Sequence, residues 1–433
     1  MKDDTKPVSK QRRSLMQAIA LGAGATFFGP WRAHHAWAQA GQKKPLTIGL
    51  TMDASGQYGA SGMEERLGAM MAIKEFNEKG GVLGRTVEAL HMDTETTPAT
   101  GSRIAERLIT RNECAFLVGA LHSGVANAIS QVAQKYGCVF LNTNSSSPTE
   151  AGVNCHRTKF VWDGNGTNFA HAIVKNAIRV SGKNWVLLTN DYVWGHQTSK
   201  ATRTLAEANG ARIVDELMIP QNTRDFSAFL IKLQQMKPQV VAAAVGGDDL
   251  KALRRQVVQL KLDKSFAWIN NQQDWPDVYG LGPEEIFGVF GTNWYYRLDL
   301  PGVKEFVASY QKAYPGVQIK VPGNVYYNGY MATRELLRAV ERAGSTNNIK
   351  VIKELEGLKV SARDRMQHFD AYMNPATHQM QQTIYMATYN DQPAEKDDIF
   401  KILSNVPPQE VEDREAPGAC KLESYEATPT YEM

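Results

Sequence analysis

Hydroxyl, amide and aromatic side chains gather in a few short glycine-containing stretches of this chain, each directly after an apolar run. Asp53-Ala54-Ser55-Gly56-Gln57-Tyr58-Gly59 is the first, Gly119-Ala120-Leu121-His122-Ser123-Gly124 the second and Asn142-Thr143-Asn144-Ser145-Ser146-Ser147-Pro148 the third. Small hydroxyl donors grouped with backbone N–H groups suit a carboxylate or another small polar anion, although Ser123 and Ser145 would also serve simply as helix caps. Three later stretches differ in character: Asn190-Asp191-Tyr192-Val193-Trp194-Gly195, Gly246-Gly247-Asp248-Asp249 and Asn270-Asn271-Gln272-Gln273-Asp274-Trp275. Aromatic rings beside amides and carboxylates make a wall for an apolar or planar ligand, with Trp194 its foremost candidate. Within these stretches Ser123, Ser145 and Trp194 are the foremost candidate contacts, with His122 and Asn144 beside the two serines.

Binding rather than catalysis is the chemistry these residues suggest. The chain has no Gly-x-Ser-x-Gly elbow, no Gly-x-x-x-x-Gly-Lys phosphate loop and no His-Glu-x-x-His. His122 beside Ser123 is a weak hydrolase hint, because adjacent residues rarely align for proton transfer. Cys-x-x-Cys and His-x-x-x-His spacings are absent, so neither metal nor redox chemistry is expected and no cofactor is implied.

The elements that would position these stretches alternate as short apolar runs and amphipathic segments, the pattern of a parallel sheet flanked by helices. Strands are expected over Leu46–Leu50, Thr86–Met92, Ala115–Gly119 and Val139–Leu141, with helices over Ser61–Lys79, Pro98–Thr110 and Ala126–Tyr136. In the first helix Leu67, Met70, Met71, Ala72, Ile73 and Phe76 are expected to share one face. Asp163-Gly164-Asn165-Gly166 interrupts the pattern, after which it restarts. Strands over 185–189, 212–217, 240–245, 267–269 and 287–290 then alternate with helices over 168–180, 197–209, 226–236 and 250–260. Helices over 303–313 and 328–343 and a strand over 383–388 follow. The candidate contacts thus stand at the carboxyl ends of strands, where open parallel sheets bind their ligands.

Before the first strand, Arg12-Arg13-Ser14-Leu15-Met16 opens a weakly apolar stretch ending at Ala36-Trp37-Ala38, the layout of a twin-arginine-type export signal cleaved near Ala38. No cysteine follows the cleavage region, so a lipid anchor is not expected. The chain holds 48 basic and 45 acidic residues. Six of the basic and two of the acidic ones lie in the first 38 positions, so the mature protein is close to neutral. No basic run with interleaved aromatics remains, which speaks against nucleic acid and anionic membrane as partners. The remaining length, about 390 residues, is more than one hydrophobic core usually serves.

An exported chain with four cysteines invites a disulfide reading. Cys114 and Cys138 each open an apolar run and are either bonded neighbours or buried thiols. Cys155 sits in a polar loop and Cys420 in a tail with little apolar content; such a tail needs a tether, so Cys155 and Cys420 are expected to pair. Closing a loop of that length gives an upper stabilisation of about 4–5 kcal/mol.

Several stretches resemble the branched-chain amino acid type of periplasmic solute-binding protein. Lys44 to Tyr58, the run Ala69 to Gly84 and Asp93 carry the likeness, with Val118-Gly119 and Ser123, Ser145 to Pro148, Tyr192 to Gly195, Asp225-Phe226-Ser227 and Glu341 to Ser345 in the same order. The resemblance implies a type I periplasmic binding fold: two open α/β doubly wound parallel-sheet lobes joined by a three-strand hinge. Lobe 1 would comprise residues 45–162 and 293–367, lobe 2 residues 163–292 and 368–400, and a loop-rich tail 401–433. It implies capture of a small-molecule ligand in the cleft and its delivery to an inner-membrane ABC permease by a monomeric periplasmic protein; a sensory protein signalling to a membrane receptor is the alternative. Carried over, Tyr58, Ser123, Ser145 and Ser146 would meet a ligand carboxylate, Trp194 would be the pocket aromatic, and Gly246 with Gln272 or Gln273 would complete the site. The amino-acid binders are expected to offer a carboxylate to the ligand ammonium near Gln272, where this chain has amides, with Asp274 just beyond. That leaves an amino acid, an aromatic or aliphatic carboxylate, or an amide as the ligand.

Overall fold

Strands form where apolar residues run unbroken and helices where they recur every three to four positions. The computed structural model describes residues 43–433, so the export signal read over residues 1–38 lies outside the described residues. Leu46–Thr51 (β1), Gly59–Glu78 (α1), Val87–His91 (β2), Pro98–Thr110 (α2), Phe116–Gly119 (β3), Ser123–Tyr136 (α3), Val139–Asn142 (β4) and Lys159–Val161 (β5) alternate in order. Their strands form one parallel sheet, β2-β1-β3-β4-β5, the heart of the first lobe.

Gly166–Ser181 (α4), Asn184–Asn190 (β6), Val193–Ala208 (α5), Arg212–Ile219 (β7), Ser227–Met236 (α6), Val240–Ala244 (β8) and Gly247–Gln259 (α7) begin the second lobe. Ala267–Asn270 (β9), Trp275–Val278 (α8) and Val289–Thr292 (β10) continue it. The chain then returns to the first lobe with Val303–Ala313 (α9), Asn324–Ala343 (α10) and Asn348–Leu355 (α11). Lys359–Val360 (β11), Ala362–Arg365 (α12), Ala371–Met373 (β12) and Met380–Gln381 (β13) follow, the three strands forming a small antiparallel sheet. Ile384–Tyr389 (β14) and Phe400–Val406 (β15) rejoin the second sheet, ordered β15-β14-β10-β9-β8-β6-β7, with β14 antiparallel to both neighbours.

Three segments therefore cross between the sheets, after β5, after β10 and before β14. The third lies later than a boundary at residue 368 would put it, because β12 and β13 pair with β11 and Gln379 bridges to Val161 of β5. The tail also begins later than residue 401. Phe400–Val406 pairs along β14 as a strand; Lys401, Ser404 and Asn405 interrupt its apolar residues, so no continuous apolar run marks it in the sequence.

Helices α1 and α10 cross with their backbones in contact. A Cβ on Gly68 would stand 2.1 Å from the Tyr326 carbonyl oxygen, and one on Gly329 2.3 Å from that of Glu65. Met71, Ala72, Ile73 and Phe76 of α1 are buried as expected, whereas Met70 is 36% exposed and lies off that face.

The segment after β15 is strapped across both lobes. Pro408–Val411 (α13) packs on α4, where Asn168 Nδ2 donates to the Val411 carbonyl at 2.7 Å. After Ala416–Ala419 (α14), Cys420 is bonded to Cys155 with Cα atoms 5.6 Å apart, which matches the expected pairing. Glu423 then accepts from the Arg157 N–H at 2.8 Å, and the Tyr431 hydroxyl donates to the Cys114 carbonyl at 2.7 Å. Cys114 and Cys138 are buried free thiols. Cys420→Ser should lower stability by about 2–4 kcal/mol, since it frees a long loop in the unfolded chain; an unchanged urea midpoint under oxidising conditions would refute this.

Candidate functional site

The cleft is built from first turns of helices. Periodicity starts α3 at Ala126, α5 at Gln197, α7 at Leu250 and α10 at Asn328, but they begin at Ser123, Val193, Gly247 and Asn324. Their opening residues mix glycines, amides, serine and aromatics and so break the apolar period; Trp194 of α5 lines the cavity, whereas Tyr326 and Tyr327 of α10 are packed in the first lobe's core.

Residues of the two lobes bond directly across this gap. The Tyr58 and Tyr192 hydroxyls are 2.6 Å apart, Ser146 Oγ donates to Gln272 Oε1 at 2.5 Å, and the Trp194 N–H donates to Ser123 Oγ at 3.1 Å. Gln57 Nε2 donates to the Gly246 carbonyl at 3.1 Å. Gly246 suits this closeness, since a Cβ there would stand 2.9 Å from the Tyr58 hydroxyl oxygen. These contacts enclose a cavity of about 20 Å³, room for one or two waters. Tyr58, Leu121, Asn144 and Ser146 line it from the first lobe; Tyr192, Trp194, Gly246, Gln272, Asp274 and Asp277 line it from the second.

Of the candidate contacts, Tyr58, Asn144, Ser146, Trp194, Gly246 and Gln272 thus meet at one cavity, and four stand outside its lining. Ser123 lies at the lobe contact, its oxygen receiving the Trp194 N–H. His122 caps α3, with Nδ1 accepting from the Val125 N–H at 3.4 Å and its ring stacked on Tyr192 at 4.5 Å. Burial pushes its pKa down to about 4, so the imidazole is neutral, and the described hydrogen bonds link it to Val125 and Gln221 rather than to Ser123. Ser145 donates to Glu150 at 3.1 Å, and Glu150 is paired with Lys159 beneath the loop. Gln273 receives Arg254 Nη2 at 2.8 Å and supports the second lobe's interior.

The residues that the sequence reading did not select are Leu121, Tyr192, Asp274 and Asp277. Leu121 and Tyr192 stand in stretches singled out above. Asp274 and Asp277 stand three positions apart, Asp274 at the N-cap of α8 and Asp277 within its single turn. Asp274 Oδ1 accepts from Asn324 Nδ2 at 2.7 Å and Gln272 Nε2 at 3.2 Å, while Asp277 Oδ2 accepts from the Gly247 N–H at 2.9 Å. Burial raises the Asp277 pKa to about 7, helped by the neighbouring Asp274 carboxyl, and raises that of Asp274 as well. Behind them Gln272 Nε2 donates to Asp163 Oδ2 at 3.0 Å and Asn293 Nδ2 to Asp163 Oδ1 at 2.8 Å, so the cavity floor is tied to two of the crossings.

Two lobes with three crossings and a cavity between the strand exits is an arrangement with known relatives. The sequence model of the family described as "Periplasmic binding protein" matches residues 45–395. The chain belongs to that family. This periplasmic binding protein is 24% identical over 314 residues to the Leu/Ile/Val-binding protein BraC3 of Rhizobium johnstonii, covering 71% of this chain and 82% of the relative. Among solved structures, a periplasmic binding protein from Burkholderia mallei matches with a TM-score of 0.79 at 23% identity, over 86% of this chain and 97% of that one. A solute-binding protein of an ABC transporter from Rhodopseudomonas palustris BisB5, in complex with 3,4-dihydroxybenzoic acid, matches with a TM-score of 0.76 at 19% identity, over 84% and 98%. The relatives are binding proteins, not enzymes. Among the described residues no helix is long and apolar enough to cross a membrane.

Proposed function

We propose that this periplasmic binding protein captures a small ligand between its lobes and delivers it to an ABC permease in the inner membrane. The observation that supports this is the ring of side-chain contacts from both lobes around one cavity: Tyr58 to Tyr192, Ser146 to Gln272 and Ser123 to the Trp194 backbone. A ligand that touches both walls has higher affinity for the closed arrangement than for an open one, and that difference alone drives closure. In this reading Tyr58, Asn144, Ser146, Trp194 and Gln272 touch the ligand, and Ser123 acts by holding Trp194 at the lobe contact. The relatives' names, a Leu/Ile/Val-binding protein and a protein complexed with 3,4-dihydroxybenzoic acid, support a small organic ligand without fixing its type.

A thermal-shift screen of amino acids, aromatic acids, short-chain acids, amines and amides on the mature protein tests this, because a ligand at 100 times its Kd adds about 2.7 kcal/mol of stability. Trp194→Ala should weaken the best hit about tenfold or more, equivalent to about 1.4 kcal/mol, with the circular dichroism unaltered. Equal affinity in the variant would place the ligand outside this cleft.

A further inference from the structure

The charge of the cavity wall is one-sided. Asp274 and Asp277 line it, and none of the lining residues is Lys, Arg or His. Asp274 Oδ2 receives no hydrogen bond from the described residues, and the buried Trp194 Nε1 has no partner. Several donors that would hold an anion are engaged elsewhere: Ser145 by Glu150, Ser146 by Gln272, and the Gly247 N–H at the start of α7 by Asp277 itself; the Trp194 Nε1 and Ser123 hydroxyl donors that remain are uncharged. An anion brought into this space meets two carboxyls in a desolvated setting where repulsion is poorly screened. A nitrogen cation meets the opposite field, and the Tyr58, Tyr192 and Trp194 rings offer electron-rich faces to it.

Resting on the cleft reading above, we propose that the ligand presents a positively charged, N–H-donating nitrogen to Asp274 and Asp277, and that binding requires no ligand carboxylate. The class is an amine, amidine or guanidine with a small apolar or planar body. The groups around the carboxyl pair are Asp163, Asp248, Asp249 and Lys251, with the Tyr58 and Tyr192 phenols. Glu65 adds a further acid beside Asp274, and the buried Arg254, bonded to Gln273, faces Asp277 as a second cation, so acids outnumber cations around the pair. Burial leaves the Asp277 carboxyl part-protonated near neutral pH, at a pKa of about 7. An arriving cation favours the ionised form and expels a proton; an arriving carboxylate favours the protonated form and takes one up.

Calorimetry on the mature protein at pH 7, run in phosphate and in Tris, reads both affinity and proton exchange. The probes are matched in shape: benzylamine and benzamidine against benzoate, isopentylamine against isovalerate, and leucine as the zwitterion. The expected result is at least tenfold tighter binding of the cations than of the matched carboxylates, with proton release, and a tenfold loss of cation affinity in Asp274→Asn. Proton release in the unaltered protein stands as the test if that variant fails to fold. Tighter binding of benzoate, isovalerate or leucine than of the matching amine, proton uptake on binding, or no heat with any probe would overturn the proposal. Carboxylate binding that Trp194→Ala abolishes would overturn it while leaving the cleft as the ligand site; binding that Trp194→Ala leaves unaltered would overturn both readings.

Discussion

Methionine in place of Lys159 is expected to destabilise the protein by about 3–5 kcal/mol, the usual cost of leaving one member of a buried ion pair alone. Lys159 Nζ lies 2.8 Å from Glu150 Oε2, with the side chains 1% and 0% exposed. Without the ammonium, Glu150 keeps only the Ser145 hydroxyl as a described side-chain donor. Burial already raises the Glu150 pKa against the opposing pull of Lys159, so its carboxyl would be driven toward the protonated form at neutral pH. The double variant Lys159→Met/Glu150→Leu should recover much of the loss, because no unpaired charge remains. Urea unfolding of the three proteins checks this, and a loss below about 1 kcal/mol in the single variant, the range of exposed pairs, would mean that the pair is solvated in solution. Ser145 joins this pair to the loop ahead of the cleft, so the single variant should also lose ligand affinity.

Gly68→Val should be nearly as damaging, at or above the upper end of the roughly 1–3 kcal/mol that overpacking costs. The nearest obstacles to a Cβ are the Tyr326 carbonyl oxygen at 2.1 Å and the Tyr330 nitrogen at 2.8 Å. Both are helix backbone and cannot swing aside as a side chain would; α1 and α10 must separate. Gly316→Ala is the control, since no heavy atom lies within 4 Å of the Cβ it would gain. Thermal unfolding that ranks the two variants equal would refute the close crossing.

The architecture was legible where burial dictates sequence. Runs such as Phe116–Gly119 and Val240–Ala244 are buried along their whole length, so nothing polar interrupts them. Phe400–Val406 was illegible as an edge strand because its exposed face carries Lys401 and Leu403, and its apolar contacts come from a distant part of the chain. At the site, Tyr58, Ser146, Trp194 and Gln272 could be found from their positions after strands. Ser145 could not be told from Ser146 by type. Their separation depends on which hydroxyl the turn points at Glu150, a three-dimensional fact without a sequence signature. The identity of the carboxylates facing the cavity was obscured for a related reason: Asp248, Asp249, Asp274 and Asp277 all follow strand exits, and only the packing of α7 against α8 decides which pair reaches the gap.

The contact between α1 and α10 has a bearing on how the protein is made. Its partners are separated by about 250 residues, and a contact that distant must overcome a large loop-closure entropy before it returns any stabilisation. The apolar face that α1 prepares for α10 leaves the ribosome early and stays uncovered while the whole second sheet up to β10 is synthesised. The lobe begun first is therefore completed late, and its unfinished surface is the part of the nascent chain with the longest exposure to aggregation.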